Sequence, residues 1–275
     1  MRDYTSAEKL LLGEINLDPS SLRAGHLLSV IGSVYFLNAD YVNAAIAWKK
    51  SEVIAPLDPS VQFSLAMVYI RLKRSDWAQP LLQSLARSQP KEALYPYWLG
   101  RLDYDAQRYD SAISQFQKAL AIEPDMARAY DNLGLCYFNQ NKTALAIESY
   151  TKAIDLDRKS LQPSPWPHLN LGIALRLLNR LDEAETQLRE ALRLDRRLAP
   201  AQFELGLLLE AEHHFDTAVG SLSEAAQLDA SYAEPHYALA RIYSKQGRRD
   251  LAQHEVETYQ RLRSEAHPAT NPQVH

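Results

Sequence analysis

The sequence contains a single cysteine, Cys136, among 275 residues. One thiol cannot form an internal disulfide, and it cannot build a cluster of thiolates around a zinc ion. No stretch approaches the ~18 consecutive apolar residues of a membrane-spanning helix, and the N-terminus lacks the basic and apolar regions of a signal peptide. We therefore expect a cytoplasmic protein without membrane insertion, or a periplasmic or membrane-tethered one if the N-terminus is truncated.

An excess of basic charge is absent as well. The chain has 30 Lys and Arg against 34 Asp and Glu, which gives a formal net charge of −4. Such a chain has no overall attraction for phosphate backbones or anionic membranes, so we predict no nucleic-acid partner. Disorder of most of the chain is also excluded, because 46% hydrophobic and 23% charged residues are typical of a folded domain.

The sequence also lacks the common catalytic motifs. It contains no G-x-x-x-x-G-K-[ST], G-x-G-x-x-G, H-E-x-x-H or G-x-S-x-G motif. The best candidate group of histidine and carboxylate is His213, His214 and Asp216, and adjacent histidines point in different directions, so we interpret it as a polar surface turn. We therefore predict no catalytic residues, no metal site and no cofactor, and hence a protein that is not an enzyme.

A regular repeat occupies most of the chain. Small residues recur at a spacing of 34, interrupted once by a spacing of 38: Gly32, Ala66, Gly100, Gly134, Gly172, Gly206 and Ala240. An alanine follows each of them by 12 residues: Ala44, Ala78, Ala112, Ala146, Ala184, Ala218 and Ala252. Apolar residues at helical spacing surround both series, so each unit is predicted to be a pair of amphipathic helices, and stacked units share one core.

This pattern resembles the tetratricopeptide repeat family, whose 34-residue unit has a small residue at position 8, alanines at 20 and 27 and a proline at 32. The fourth unit matches at positions 4, 7, 8, 11, 20, 24 and 27, with Tyr130, Leu133, Gly134, Tyr137, Ala146, Tyr150 and Ala153. The resemblance implies an all-α fold, a right-handed α-solenoid of antiparallel helix hairpins. We expect one solenoid domain over 25–264 with seven repeats: 25–58, 59–92, 93–126, 127–160, 165–198, 199–232 and 233–264.

Three segments depart from this register. Residues 1–24 match only the second helix of a repeat, so they are either an N-terminal cap helix or the remainder of a longer protein. A four-residue insertion near Leu161 is either a hinge or lip of a binding groove around Trp166, or a tolerated loop extension. Residues 265–275 are polar and contain proline, which indicates a flexible tail.

Two positions of the unit predict specific local structure. Glycine costs about 1 kcal/mol within a helix, so glycine at position 8 indicates that the second helix of the pair approaches closely. Aspartate at position 18 is expected to cap the N-terminus of the second helix. The five aspartates are Asp76, Asp110, Asp182, Asp216 and Asp250.

The resemblance also implies a ligand surface, because this family lines its concave face with positions 2, 5, 9 and 12 of the first helices. Aromatic and apolar residues dominate these positions here. The predicted contact residues are Phe36, Phe63, Met67, Ile70, Tyr97, Arg101, Tyr104, Asp131, Leu135, Phe138, Leu169, Ile173, Phe203, Leu207, Tyr237 and Arg241. Either a partner covers them, or they fill gaps between adjacent first helices.

We therefore predict a non-catalytic scaffold, with a monomer favoured, that binds a protein or peptide in an apolar, aromatic-lined groove. The alternative is a regulatory or substrate-docking arm of a larger enzyme or of a secretion or assembly machine. The carboxylate clamp of chaperone-binding relatives is not expected. Asn132 and Asn170 stand at position 6, but Phe203 and Glu204 occupy places where that clamp needs cations.

Overall fold

The computed structural model describes residues 4–266, which form fifteen α-helices and no strand. A single helix, α1 (Tyr4–Leu17), precedes seven helix pairs. The first helices of the pairs are α2 (Leu22–Leu37), α4 (Pro59–Arg71), α6 (Leu94–Asp105), α8 (Ala127–Asn139), α10 (Trp166–Leu177), α12 (Ala199–Ala211) and α14 (Glu234–Lys245). The second helices are α3 (Tyr41–Ile54), α5 (Ser75–Ser88), α7 (Tyr109–Ile122), α9 (Thr143–Asp157), α11 (Leu181–Leu194), α13 (Phe215–Leu228) and α15 (Arg249–Ala266). The predicted all-α fold of packed helix pairs is confirmed.

The chain divides into two compact units, of which the first ends at Pro124 and the second begins at Asp125. The first unit contains α1 to α7 and the second contains α8 to α15. The single domain expected over 25–264 therefore stays a prediction. Its end points shift slightly, because α2 already begins at Leu22 and α15 continues to Ala266. Most of the expected tail, residues 267–275, lies outside the described residues.

Each glycine at position 8 lies directly against the side chain at position 24 of the same hairpin. A Cβ atom built on Gly32 would lie 2.4 Å from Cδ1 of Trp48, closer than any real contact. The same arrangement recurs in four further pairs: Gly100 with Phe116, Gly134 with Tyr150, Gly172 with Leu188 and Gly206 with Leu222. The close approach that the glycine series predicted is confirmed, and a large buried side chain occupies the space left by the missing methyl group.

The turn between the two helices of each pair contains one residue in the left-handed region. Its φ lies between 57° and 63° at six non-glycine positions: Ala39, Lys73, Gln107, Asn141, Asn179 and His213. In the last pair the residue is Gly247, with a φ of 72°. Left-handed backbone is unfavourable for residues with a Cβ, so six turns are held by the packing of the helices that they join.

The aspartates at position 18 lie inside the second helices and not at their N-cap positions. The cap positions of α5, α7 and α11 are held by Arg74, Arg108 and Arg180, none of which forms a side-chain cap hydrogen bond. The aspartate is the second residue of each of these helices instead. The aspartate is therefore not the N-cap residue, but its carboxylate lies in the first turn, where the helix dipole favours a negative charge. At Asp76 the carboxylate also accepts hydrogen bonds from the backbone N–H groups of Asp76 and Trp77.

The helix α1 packs on α2 as the second helix of a preceding repeat would. Ile15 is buried and joins Ile31 in a small apolar cluster. Polar contacts flank it: the Tyr35 hydroxyl donates to the Glu8 carboxylate, and Arg23 pairs with Glu14. None of the helices formed by residues 4–266 has the length and apolar character needed to cross a membrane.

Candidate partner-binding surface

The predicted contact residues lie on the first helices of both units. We call the side of these helices at positions 5, 9 and 12 the first-helix surface, and it is described for each unit separately. In the first unit, Phe36, Phe63, Met67 and Ile70 are half-buried and pack against the hydrophobic core. One part of each side chain therefore packs on the core, and the other part is accessible to a ligand.

The second unit repeats this arrangement. Its half-buried members pack against the core of that unit in the same way: Leu135, Phe138, Ile173, Phe203 and Leu207. The ring centroid of Phe203 lies 5.3 Å from that of Tyr232. Tyr237 is different, because 54% of its surface is exposed. It is the one predicted aromatic contact residue, among those described, that is mainly available to a partner.

Two of the predicted contact residues are buried in the core and are therefore not part of the first-helix surface. Tyr97 is 6% exposed and packs against the buried ring of Phe116, with ring centroids 5.9 Å apart. Leu169 is 2% exposed within the core of the second unit. Position 5 is therefore internal in these two repeats, which corrects the expectation that it faces a partner throughout.

The second unit connects its first helices through polar bridges. Asn170 of α10 donates from Nδ2 to Oδ1 of Asp131 on α8 at 2.8 Å. Arg176 of α10 donates from Nε to Oε2 of Glu204 on α12 at 2.9 Å. Burial of the Glu204 carboxyl outweighs the attraction of the Arg176 guanidinium, so the pKa of Glu204 is raised.

A third bridge joins α12 and α14 at Glu210. The side chain of Glu210 is 6% exposed and accepts hydrogen bonds from Arg241 Nε and Lys245 Nζ, both at 2.9 Å. Burial acts to raise the pKa of Glu210, but the two cationic donors outweigh it and lower that pKa. Arg241, a predicted contact residue, is therefore already engaged within the unit.

Arg101 and Tyr104 complete the first-helix surface of the first unit. Both are partly exposed on α6. Arg101 forms no ion pair with any described residue, and its buried Nε has no hydrogen-bond partner. The ring of Tyr104 lies 5.8 Å from that of Tyr109 on α7. Arg101 is thus the one arginine among the predicted contacts whose charge is not neutralised by a neighbouring carboxylate.

An exposed apolar stripe on α3 was missed by the sequence analysis. Val42, Ile46 and Val53 are 55%, 48% and 87% exposed. They stand at positions 18, 22 and 29, where the fifth repeat carries the polar residues Asp182, Thr186 and Arg193. A comparison of these three positions between repeats would have revealed the stripe.

The inserted loop forms a surface feature of the second unit. Leu161 is fully exposed, and the Asp157 carboxylate accepts a hydrogen bond from the backbone N–H of Ser164. Trp166, 49% exposed, begins α10 after this loop. A pocket of about 300 Å³ lies beneath, lined in part by His168 and Arg193. Neither interpretation of the insertion, as a groove lip or as a loop extension, is decided by this geometry.

The two chemically suggestive groups of the sequence lie in different settings. Cys136 is fully buried, and desolvation raises the pKa of its thiol to about 12, so it packs as a small apolar residue. His213 and His214 form the exposed turn before α13, as expected. Among residues 4–266, no three histidine, cysteine or carboxylate side chains are arranged to hold a metal ion.

Comparisons with known proteins agree with this architecture. A tetratricopeptide repeat model matches residues 125–197, and a TPR repeat model matches residues 100–141. The Cut9–Hcn1 hetero-tetramer of the APC/C is similar at a TM-score of 0.69 and 19% identity, over 87% of this chain and 46% of that chain. This chain therefore spans less than half the length of that protein.

Two smaller proteins are similar over most of their own length. PilW, a type IV pilus biogenesis factor, has a TM-score of 0.67 and 21% identity, over 78% of this chain and 95% of that chain. YrrB, a TPR protein with an unusual peptide-binding site, has a TM-score of 0.51 and 19% identity, over 69% of this chain and 93% of that chain. At these identities the likeness concerns the fold.

Proposed function

We propose that the chain is a non-catalytic scaffold that binds a protein or peptide on its first-helix surface. The tetratricopeptide repeat models that match residues 125–197 and 100–141, and the likeness of the fold to solved TPR proteins, support this proposal. The observation that carries the proposal is the series of half-exposed apolar side chains at the same repeat positions. Met67 and Ile70 in the first unit and Leu207 in the second are examples. Within each unit, a surface that offers such side chains at equivalent positions of successive first helices suits an extended segment or an amphipathic helix.

The packing of these side chains favours binding without a large entropic cost. Each one is held by the core of its unit, so few rotamers are lost when a ligand covers it. Solved structures of similar fold support this role, since YrrB is a peptide-binding TPR protein and Cut9 is assembled with Hcn1. These partners belong to those proteins, and the partner of this chain is to be identified by experiment.

The proposal is tested by affinity capture from a lysate of the source organism, followed by mass spectrometry. The test variant combines Met67→Lys with Ile70→Gln on α4, and the matched control combines Val42→Lys with Ile46→Gln on α3 of the same unit. We expect the α4 variant to lose the captured partner and the α3 variant to retain it, at unchanged helical content. Retention by the α4 variant would sink the proposal.

The second unit offers an independent test through Tyr237. Phe203 is less suitable, because it packs on Tyr232 and its removal would also disturb the core. Tyr237 is 54% exposed, although its ring lies 5.3 Å from that of Tyr259. Tyr237→Ser therefore removes a mainly exposed aromatic side chain, and circular dichroism verifies that the helical content is unchanged. We expect weaker capture of a partner that spans this unit.

A second candidate function is a docking arm within an assembly machine. The similarity to the pilus biogenesis factor PilW, over 95% of that chain, favours it. The captured proteins distinguish the two functions, because a docking arm retains several subunits of one assembly, whereas a stand-alone scaffold retains a single partner.

A further inference from the structure

We propose that the first unit binds a peptide segment that carries a carboxylate among apolar residues, with Arg101 as the contact for that carboxylate. This inference rests on the proposed function and specifies the chemistry of the partner. It predicts an acidic side chain at one defined point of an otherwise apolar ligand.

The guanidinium of Arg101 has no ion-pair partner among the described residues. Its Nε is buried and has no hydrogen-bond partner, and no carboxylate of a described residue lies within ion-pairing distance. Buried donors in folded proteins are nearly always paired, so an unpaired guanidinium nitrogen indicates a partner that the isolated chain does not supply. A carboxylate matches the fork of guanidinium donors and neutralises the charge.

Two arginines on the first-helix surface of the second unit form ion pairs, whereas Arg101 does not. Arg241 occupies position 9 of its repeat, as Arg101 does, and pairs with Glu210. Arg176 at position 12 pairs with Glu204. In both cases the arginine forms an ion pair with a glutamate on the adjacent first helix of the same unit. No such glutamate reaches Arg101, which leaves its charge available to a ligand.

The positive charge of Arg101 lies on a largely apolar part of the first-helix surface. Trp98 and Tyr104 stand three residues before and after Arg101 on α6, so their side chains flank it on the helix surface. On α4, Met67 and Ile70 occupy positions 9 and 12, the register positions of Arg101 and Tyr104. An ion pair covered by apolar side chains is screened less by water than an exposed pair, so a carboxylate placed there is bound more strongly.

The charge balance favours a carboxylate over a phosphate. A surface that binds phosphate typically gathers several cations, and this chain has a net charge of −4 and one unpaired arginine at this place. A single bidentate contact inside an apolar surface suits one carboxylate of an apolar peptide. A phosphopeptide is the competing ligand that the experiment below distinguishes.

The test uses the full chain and a displayed library of random 12-residue peptides. Selected peptides are synthesised in three forms, with the acidic residue unchanged, with Glu→Gln or Asp→Asn, and with phosphoserine in its place, and are titrated by calorimetry. The protein variants are Arg101→Gln, Arg101→Glu and, as a matched control for loss of one positive charge, Arg87→Gln on the exposed end of α5. Circular dichroism verifies that each variant is folded.

We expect selection to enrich peptides with one acidic residue between apolar ones. Neutralising that residue, or Arg101, should weaken binding by about tenfold, and the two changes together should weaken it no further. Arg87→Gln should bind as the wild type does, and Arg101→Glu should select peptides with lysine or arginine at the same place.

Three outcomes would overturn the inference. Apolar peptides that bind without an acidic residue, and that Arg101→Gln leaves unaffected, would reject the charge contact and retain the proposed function. Binding that requires phosphoserine would replace the carboxylate by a phosphate. Peptides that bind the Met67→Lys, Ile70→Gln variant as tightly as the wild type would reject both the inference and the proposed surface.

Discussion

The aromatic ring of Tyr150 lies so close to Gly134 that a Cβ on the glycine would be 2.5 Å from Tyr150 Cε1. The contact joins α8 to α9, and the tyrosine is almost fully buried. The absence of a side chain at one position therefore allows a large one at the other. Five of the hairpins have this combination of a glycine at position 8 and a large side chain at position 24 that packs against it.

We expect Gly134→Ala to destabilise the protein, although alanine is the better helix former by about 1 kcal/mol. The new methyl group overlaps the ring of Tyr150, and overpacking of a core costs about 1–3 kcal/mol. The added substitution Tyr150→Leu should restore part of this loss, because the second repeat carries Ala66 and Leu82 at these positions. Urea unfolding of the single and double variants measures the coupling. Strictly additive effects would contradict the contact.

Gly220→Ala is the matched control within the same chain. Gly220 is exposed in α13, and a Cβ there would meet nothing within 4 Å. Only the helix propensity changes, so we expect a gain of about 0.5–1 kcal/mol in the free energy of unfolding. A loss of stability at Gly220 would show that the glycine effects do not follow from packing.

The left-handed turn residues predict a stabilising substitution. Lys73 has a φ of 57° and joins α4 to α5. Since glycine carries no Cβ, Lys73→Gly relieves the conformational cost and should raise the free energy of unfolding by about 0.5–1 kcal/mol. Thermal unfolding compares it with Lys73→Ala, which keeps the Cβ and should give no gain. Equal effects of both substitutions would refute the explanation.

The bridge at Glu210 predicts a pH-dependent stability. Its pKa lies below the ordinary value of 4.5, so its contribution is present above that value and is lost as the pH falls through the lowered pKa. We expect Glu210→Gln to cost about 1 kcal/mol near neutral pH, a modest figure because Arg241 and Lys245 are half exposed. The difference from wild type should shrink toward about pH 4 in urea titrations.

Glu204 should respond with the opposite sign. Its pKa is raised, so its contribution is present at low pH and is lost as the pH rises through the raised pKa. Relative to wild type, Glu204→Gln should therefore be more stable near neutral pH than in acid. The stability difference from wild type should therefore change with pH in opposite directions for the two glutamine variants. The same trend in both would contradict the explanation that burial raises the pKa of Glu204 while the cationic donors lower that of Glu210.

The exposed stripe on α3 predicts a tolerant surface. Val42→Asp, Ile46→Thr and Val53→Arg introduce the residues that the fifth repeat has at these positions. These side chains are about half or more exposed, so the triple variant should unfold within about 0.5 kcal/mol of the wild type. A larger loss in urea unfolding would mean that these residues are buried in solution.

The hairpins were predictable from the sequence because their determinants are local. A glycine in a helix needs a packing reason, so Gly134 and its equivalents predict the close contact from the sequence alone. The turns were less predictable, since Lys73 and Gln107 adopt a left-handed conformation for which their residue types give no signal. There the packing of the two helices imposes the backbone geometry.

The candidate surface was only partly predictable. Register identified the first helices, but the burial of Tyr97 and Leu169 depends on how neighbouring helices pack, and one repeat does not contain that information. The bridge from Arg241 to Glu210 joins residues 31 apart in sequence on two helices, so it required the structure. Arg101 can be recognised as an arginine without an ion pair only when the ion pairs of the other arginines are known.

Site-specific photo-crosslinking locates the bound partner on the surface of the chain. A photoreactive side chain is placed at Met67 on α4 or at Val42 on α3, and the full chain is irradiated in lysate with its bound partner. Binding on the first-helix surface predicts a covalent adduct with the captured partner from position 67 and none from position 42. An adduct from position 42 alone would contradict it, because the partner would then lie on the second helices.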